Sequence, residues 1–170
     1  MTAAYGWSRF AVIADLGGGI GSQLADILNA YPSSRGILLD QPDVVAQAVA
    51  HDRMERVSGS FFDSVPAGAD AYILRHVIHD WPDPDAAAIL KTIRTGAKLS
   101  SRVILIEQII PETSAFDFGK LIDFAMLAIA GGQERTAAEY RQLLEQSGFE
   151  LEQIVPTPVG LNLIIGRPRV

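Results

Sequence analysis

Phe10-Ala-Val-Ile-Ala14, Asp15-Leu-Gly-Gly-Gly-Ile-Gly21 and Ser22-Gln-Leu-Ala-Asp-Ile-Leu28 follow one another without a gap. The first stretch has the character of a short buried strand and the last that of an amphipathic helix, so the glycines form the turn between them. Such a turn suits a nucleotide-like cofactor. Glycine lets the backbone approach a ligand closely, and the first N–H groups of the following helix face an anionic group. The spacing separates cofactor classes. A dinucleotide fingerprint requires G-x-G-x-x-G, and counting from Gly17 and Gly19 the third glycine position is occupied by Ser22. The pattern Asp-x-Gly-x-Gly-x-Gly, by contrast, is complete at Asp15, Gly17, Gly19 and Gly21. A glycine turn after a strand is also a common structural connection, so the rest of the chain must decide between the two readings.

The remainder narrows the choice. One hundred and seventy residues with 48% apolar and 20% charged side chains make one globular domain with a substantial core. A net charge of −6 argues against a nucleic-acid partner, because phosphate binding needs a basic face. No apolar run reaches the roughly 20 residues of a membrane span, and the start Met-Thr-Ala-Ala-Tyr lacks the features of a secretory leader. Zero cysteines exclude disulfides and fit a cytoplasmic location. The three histidines, His51, His76 and His79, show no metal-helix spacing, so no metal is expected.

Apolar runs at 11–16, 36–40, 54–58, 69–77, 102–108, 149–155 and 161–166 predict strands. Helix-like segments at 22–30, 42–51, 85–99, 118–130 and 137–147 fall between them. Runs without alternation, such as Val103-Ile-Leu-Ile, suit strands buried on both faces of a parallel sheet. The expected architecture is a doubly wound, Rossmann-like α/β fold of seven strands. Five are parallel. The last two, joined only by Pro156-Thr-Pro-Val-Gly160, form an antiparallel hairpin, since so short a link cannot make a parallel crossover.

Two further segments carry chemistry. Asp40, in Leu38-Leu-Asp-Gln-Pro42, ends the second strand 19 residues after Gly21, where an acidic side chain accepts hydrogen bonds from ribose hydroxyls. The other account of Asp40 is a cap of the helix that Pro42 opens. Arg75-His-Val-Ile-His79-Asp-Trp81 follows the fourth strand, at the carboxyl edge where open α/β sheets bind ligands. Neutral imidazole is well suited to take a phenolic proton near neutral pH. A plain cap of the next helix is the other account of His79, and His76 is expected inside the strand as a core or cofactor-adjacent residue.

Taken in order, Asp15-Leu-Gly-Gly-Gly-Ile-Gly21, Leu38-Leu-Asp-Gln-Pro42, Val57-Ser-Gly-Ser-Phe-Phe-Asp-Ser-Val-Pro66, His79-Asp-Trp81, Glu107-Gln-Ile-Ile-Pro111 and Gly131-Gly-Gln-Glu-Arg-Thr136 resemble the catalytic domain of the small-molecule O-methyltransferases. These are S-adenosylmethionine-dependent enzymes that include the caffeate, flavonoid and bacterial polyketide-tailoring types. The resemblance covers essentially the whole chain. It implies a class I methyltransferase fold, S-adenosylmethionine as cofactor without a metal, and a small hydroxylated aromatic or polyketide-like acceptor. It also implies His79 as general base flanked by the acidic residues Glu107 and Glu134. Cofactor contacts carried over position by position are Asp15, Gly17, Gly18, Gly19, Asp40, Gln41, Ser60, Phe61, Arg75, Asp80 and Trp81, and Met126 matches a substrate-packing methionine. Glu134 could instead serve only the turn before a helix, and Met126 only a helix core. One departure concerns adenine recognition: Gly59-Ser-Phe-Phe62 stands where the family often has Gly-Asp-Met-Phe, so an anionic contact is lost.

Members of the family are about twice as long and begin with a helical dimerisation domain. The expectation is therefore a single S-adenosylmethionine-binding domain over 1–170, with that N-terminal domain absent and the acceptor side open to water. Association through the surface left uncovered follows from that expectation. Three alternatives to a self-sufficient methyltransferase stay open: a cofactor-binding domain with little turnover of its own, a member drifted to hydroxylase or decarboxylase chemistry, and a nicotinamide-dependent oxidoreductase.

Overall fold

The computed structural model describes residues 5–111 and 133–170. In chain order the elements are β1 (Val12–Leu16), α1 (Ser22–Ala30), β2 (Arg35–Asp40), α2 (Pro42–Val45), β3 (Met54–Ser58), β4 (Ala71–Arg75), α3 (Asp83–Gly96), β5 (Arg102–Glu107), α4 (Ala137–Gln146), β6 (Phe149–Pro156) and β7 (Asn162–Pro168). Met126 and the helix expected at 118–130 lie outside the described residues.

The seven strands form one sheet in the order β3-β2-β1-β4-β5-β7-β6. β1 to β5 run parallel, and β7 inserts antiparallel between β5 and β6, as the short link required. Alternation along the central strands explains why they read as unbroken apolar runs. In β5, Val103 and Leu105 enter one apolar layer, with Leu74, Ile89, Leu90 and Tyr140; Ile104 and Ile106 enter the other, with Ile13, Leu24 and Ile27. Both faces are covered, so every position is buried. Each fully buried Leu or Ile contributes roughly 1.5–3 kcal/mol through lost water contact. At the N-terminal side Tyr5, Trp7 and Phe10 cluster on the second layer, with Tyr5 and Trp7 edge to face at 5.6 Å.

Element ends differ from the sequence expectation where tertiary bonds intervene. The helix expected over 42–51 is one turn, Pro42–Val45, because the Val49 N–H donates to the Ile20 carbonyl and draws the chain back to the glycine turn. α3 starts earlier than expected, at Asp83. Pro82 enters it in extended conformation, and Asp83 and Asp85 place negative charge at the positive end of the helix dipole. β4 stops at Arg75, so His76 lies beyond the strand and not within it as expected.

The strand order reverses between β1 and β4, which are paired neighbours. At such a switch point the two outgoing loops part and leave a crevice at the carboxyl edge. The β1 loop carries the glycines, and the β4 loop carries His76 and His79.

Candidate active site

The glycine turn has left-handed backbone at Gly17, Gly19 and Gly21, with φ of 67°, 61° and 78°. It is tied to β2 by the Gly17 N–H, which donates to the Leu39 carbonyl at 2.8 Å. A Cβ at Gly18 would sit 2.6 Å from the Asp15 carboxyl carbon and 2.7 Å from Leu38 Cδ1. A side chain is therefore excluded by neighbours as well as by backbone. Above the turn lies a cleft of about 280 Å³ lined by Asp15, Gly17, Gly18, Gly19, Arg75 and His76, with Ile20, Ser22 and Gln23 at its rim.

Asp40 neither caps α2 nor stands free. Its Oδ2 accepts from the Gly19 N–H and its Oδ1 from the Gln41 N–H, both at 2.7 Å. The carboxylate braces the glycine turn, and each oxygen keeps a lone pair for a further donor. Ser60 Oγ accepts from the Phe62 N–H at 3.2 Å, and the Phe61 ring lies 3.2 Å from where a Gly17 Cβ would be. Trp81 meets Phe62 edge to face at 4.8 Å and packs into the core on the α3 side. The structure thus gathers Asp15, the three glycines and Arg75 around one cleft, with Asp40 and Phe61 against its wall. Gln41, Ser60, Asp80 and Trp81 stand outside its lining.

Asp15 is buried at the foot of this cleft, and burial together with the nearby Asp40 charge raises its pKa to about 7, against the opposing effect of Arg75. The sign for stability follows. Between the ordinary 3.8 and about 7 the folded chain binds a proton that the unfolded chain releases, so stability falls as pH rises through that window. Asp15→Asn removes this loss. Urea unfolding at pH 8 compared with pH 4 is expected to favour the variant by up to about 4 kcal/mol, and an unchanged difference between the two pH values would contradict the assignment.

The second half of the site is built on the ends of β4 and β5. Glu107 ends β5 and is fully buried. Its Oε1 accepts from the Val77 and Ile78 N–H groups at 3.1 and 2.9 Å. Its Oε2 lies 3.0 Å from His79 Nδ1, and Glu134 Oε1 is 3.6 Å from the same nitrogen. His79 sits in the short turn Ile78–Asp80, and no side-chain bond from it caps α3. The Glu107 carboxylate is the main influence that raises the His79 pKa above the ordinary imidazole value, against the effect of burial. Its other nitrogen, Nε2, lies 3.3 Å from Asp80 Oδ1. Glu134 takes no part in the capping box of α4, which Thr136 and Glu139 form; it is buried beside the imidazole.

Sequence reasoning missed three contributors. Arg135 is fully buried. Its guanidinium donates to Asp83 Oδ1 at 2.9 Å and to the carbonyls of Ile78, Trp81 and Gln133 at 3.1, 2.8 and 3.2 Å. Asp83, at the start of α3, is thus part of a clamp that also takes Gln133 Nε2 at 2.8 Å. The Gln133 N–H donates to the His79 carbonyl at 2.8 Å, so the segment bearing Glu134 is fastened to the turn bearing the imidazole. Tyr140 of α4 is the third. Burial and the charges of Glu107 and Glu134 push its hydroxyl well above its ordinary pKa. The arginine inside Gly131-Gly-Gln-Glu-Arg-Thr136 was the available signal for the clamp; Tyr140 gave none beyond an apolar helix position.

The sheet order, five parallel strands followed by an antiparallel pair, is that of class I methyltransferases. The sequence profile described as O-methyltransferase domain matches residues 1–150, and the chain belongs to that family. It is 41% identical, over 97% of its length and 50% of the relative's, to the phenazine O-methyltransferase PhzM of Lysobacter antibioticus. Among solved structures it superimposes on the mitomycin 7-O-methyltransferase MmcR with a TM-score of 0.93 at 38% identity, covering 98% of this chain and 51% of that one. The O-methyltransferase NcsB1 of neocarzinostatin biosynthesis, solved with S-adenosylmethionine and 2-hydroxy-5-methyl naphthoic acid, matches with a TM-score of 0.87 at 32% identity, over 98% of this chain and 51% of that one. The chain spans about half the length of the curated relatives it matches.

Proposed function

We propose that the chain is the S-adenosylmethionine-binding catalytic domain of an O-methyltransferase acting on a hydroxyl of a small aromatic molecule. The observation that carries this reading is a glycine-lined cleft that His76 also lines, with the His79 imidazole 5.3 Å from the His76 ring and a buried carboxylate 3.0 Å from its Nδ1. The residues present fit the cofactor: the turn admits no Cβ at Gly18, and an acidic side chain stands at each end of it. Asp15, Gly17, Gly18, Gly19 and Arg75 would hold its amino-acid end, Asp40 and Gln41 its ribose, and Ser60 and Phe61 its adenine, with Asp80 and Trp81 beside them. S-adenosylmethionine supplies an electrophilic methyl on a sulfonium sulfur.

The chain's part is proton transfer and orientation. His79 accepts the hydroxyl proton at Nε2 while its Nδ1 proton stays directed at Glu107, which fixes the tautomer and favours the imidazolium that results. Glu134 adds a second negative charge to the same end. Holding the acceptor oxygen in line with the methyl contributes on the order of 7–11 kcal/mol in well-oriented pairs. The acceptor class, a hydroxylated phenolic or polyketide-like molecule, is part of the proposal, as are residues 1–170 acting as one donor-binding unit, association as a homodimer or by self-association through the uncovered surface, and a cytoplasmic location. Among the described residues no helix is long and apolar enough to cross a membrane.

Calorimetry tests the donor half. S-adenosylhomocysteine is expected to bind one per chain with a dissociation constant on the order of 1 μM, about −8 kcal/mol, and NADH is expected to give no heat. Tight NADH binding with none for S-adenosylhomocysteine would restore the oxidoreductase reading. Donor binding without transfer to any phenol would favour a binding module.

A further inference from the structure

The proposed reaction uses His79 and Glu107 and leaves His76 without a task. His76 holds a φ of 53°, the one side-chain-bearing residue among those described with positive φ. Such a conformation is uncommon for a residue with a Cβ, although histidine adopts it more readily than most, and residues held in it cluster at functional sites. Its N–H donates to the Ile106 carbonyl at 3.2 Å, which anchors the backbone to β5 and turns the ring over the cleft. The rings of His76 and His79 lie 5.3 Å apart, centre to centre.

Both rings bring Nδ1 near the same atom. Glu107 Oε2 is 3.9 Å from His76 Nδ1 and 3.0 Å from His79 Nδ1. That oxygen is buried and faces the two rings, whereas Oε1 of the same carboxylate is already held by two backbone N–H groups. One ligand atom from each of the three residues lies within 4.8 Å of the others. A zinc-type ion, bound to nitrogen and oxygen at about 2.0–2.2 Å, fits such a triangle after a small turn of the rings. A metal-bound imidazole also wants an acceptor for its remaining N–H, and Asp80 Oδ1 stands 3.3 Å from His79 Nε2. Of the three, His76 lines the cleft and gives the site its access to solvent.

We propose that His76 Nδ1, His79 Nδ1 and Glu107 Oε2 form a binding site for a divalent transition-metal ion, and that this ion and methyl transfer exclude each other. The exclusion follows from the ring. An ion on Nδ1 leaves the single proton on Nε2, facing Asp80, so no lone pair remains for the acceptor's proton. The ion is thus an inhibitor. The site itself stands on geometry alone, whereas the inhibition rests on the proposed role of His79.

The test uses tag-free chain dialysed against EDTA, titrated with Zn²⁺ in a calorimeter and with Co²⁺ in a spectrophotometer. One ion per chain is expected, with a visible Co²⁺ band. His76→Gly, which removes the ring and relieves the left-handed backbone, is expected to weaken Zn²⁺ at least roughly tenfold and to abolish the band. Glu107→Gln should do the same, and His51→Gln, whose ring pairs with Asn29 and the Arg53 N–H, should change neither. Melting in EDTA verifies that the variants are folded. Absence of stoichiometric uptake, or uptake that His76→Gly leaves intact, would overturn the site. S-adenosylhomocysteine calorimetry separates the two claims: zinc binding without donor binding sinks the proposed function alone, and donor binding without zinc sinks the metal site alone.

Discussion

Methyl transfer by His79→Ala is expected to fall about 10²–10⁴-fold, the usual contribution of a positioned general base, while S-adenosylhomocysteine binds with affinity unchanged within about threefold. The measurement is transfer of labelled methyl to a panel of phenols, together with donor calorimetry on the same preparations. The base must be unprotonated to act, and Glu107 raises the pKa of the imidazole above its ordinary 6.5. In EDTA, kcat should therefore rise with pH through a midpoint above that value. Glu107→Gln removes the main cause of the shift, so its midpoint should move down as the maximal rate drops. Undiminished transfer by His79→Ala would remove the proposed base.

The second large effect is structural. Arg135→Ala is expected to destabilise the chain by about 3–5 kcal/mol, a fall in melting temperature of roughly 10 °C for a domain of this size. The exposed ion pair with Asp83 is a small part of this cost. The larger part is the loss of the one donor group that serves the Ile78, Trp81 and Gln133 carbonyls together. Arg135→Lys should recover only part of it, because an ammonium cannot reach the acceptors in the planar fork that a guanidinium presents. Loss below about 1 kcal/mol on urea unfolding would mean that the clamp does not hold the site.

The fold was legible because its main physical cause lies in local sequence. A strand buried on both faces must be apolar at every position, as Val103-Ile-Leu-Ile is, and a five-residue link forces an antiparallel return. Element ends were less legible, since they are set by bonds to distant parts of the chain. The Val49-to-Ile20 bond that cuts α2 short has no local signature. The site shows the same division. The glycine turn is a local motif and could be read, and so could Asp40, although not its bond to the Gly19 N–H. The register of β4 on β5, with Arg75 opposite Ile106, carries His76 and His79 up to Glu107. No spacing of three histidines could announce that cluster. Arg135 was hidden differently: its partners are mostly backbone carbonyls, which every residue possesses.

The central claim is that the methyl donor lies at the tips of β1 and β2 with the imidazole of residue 79 beside its sulfur. A crystal structure of the chain with S-adenosylhomocysteine tests this most directly. The account predicts ribose hydroxyls on the Asp40 carboxylate, the amino-acid end over Gly17, Gly18 and Gly19, and the sulfur facing the cleft side of His79. Ligand bound away from the glycine turn, or a His79 ring turned into the core, would contradict it.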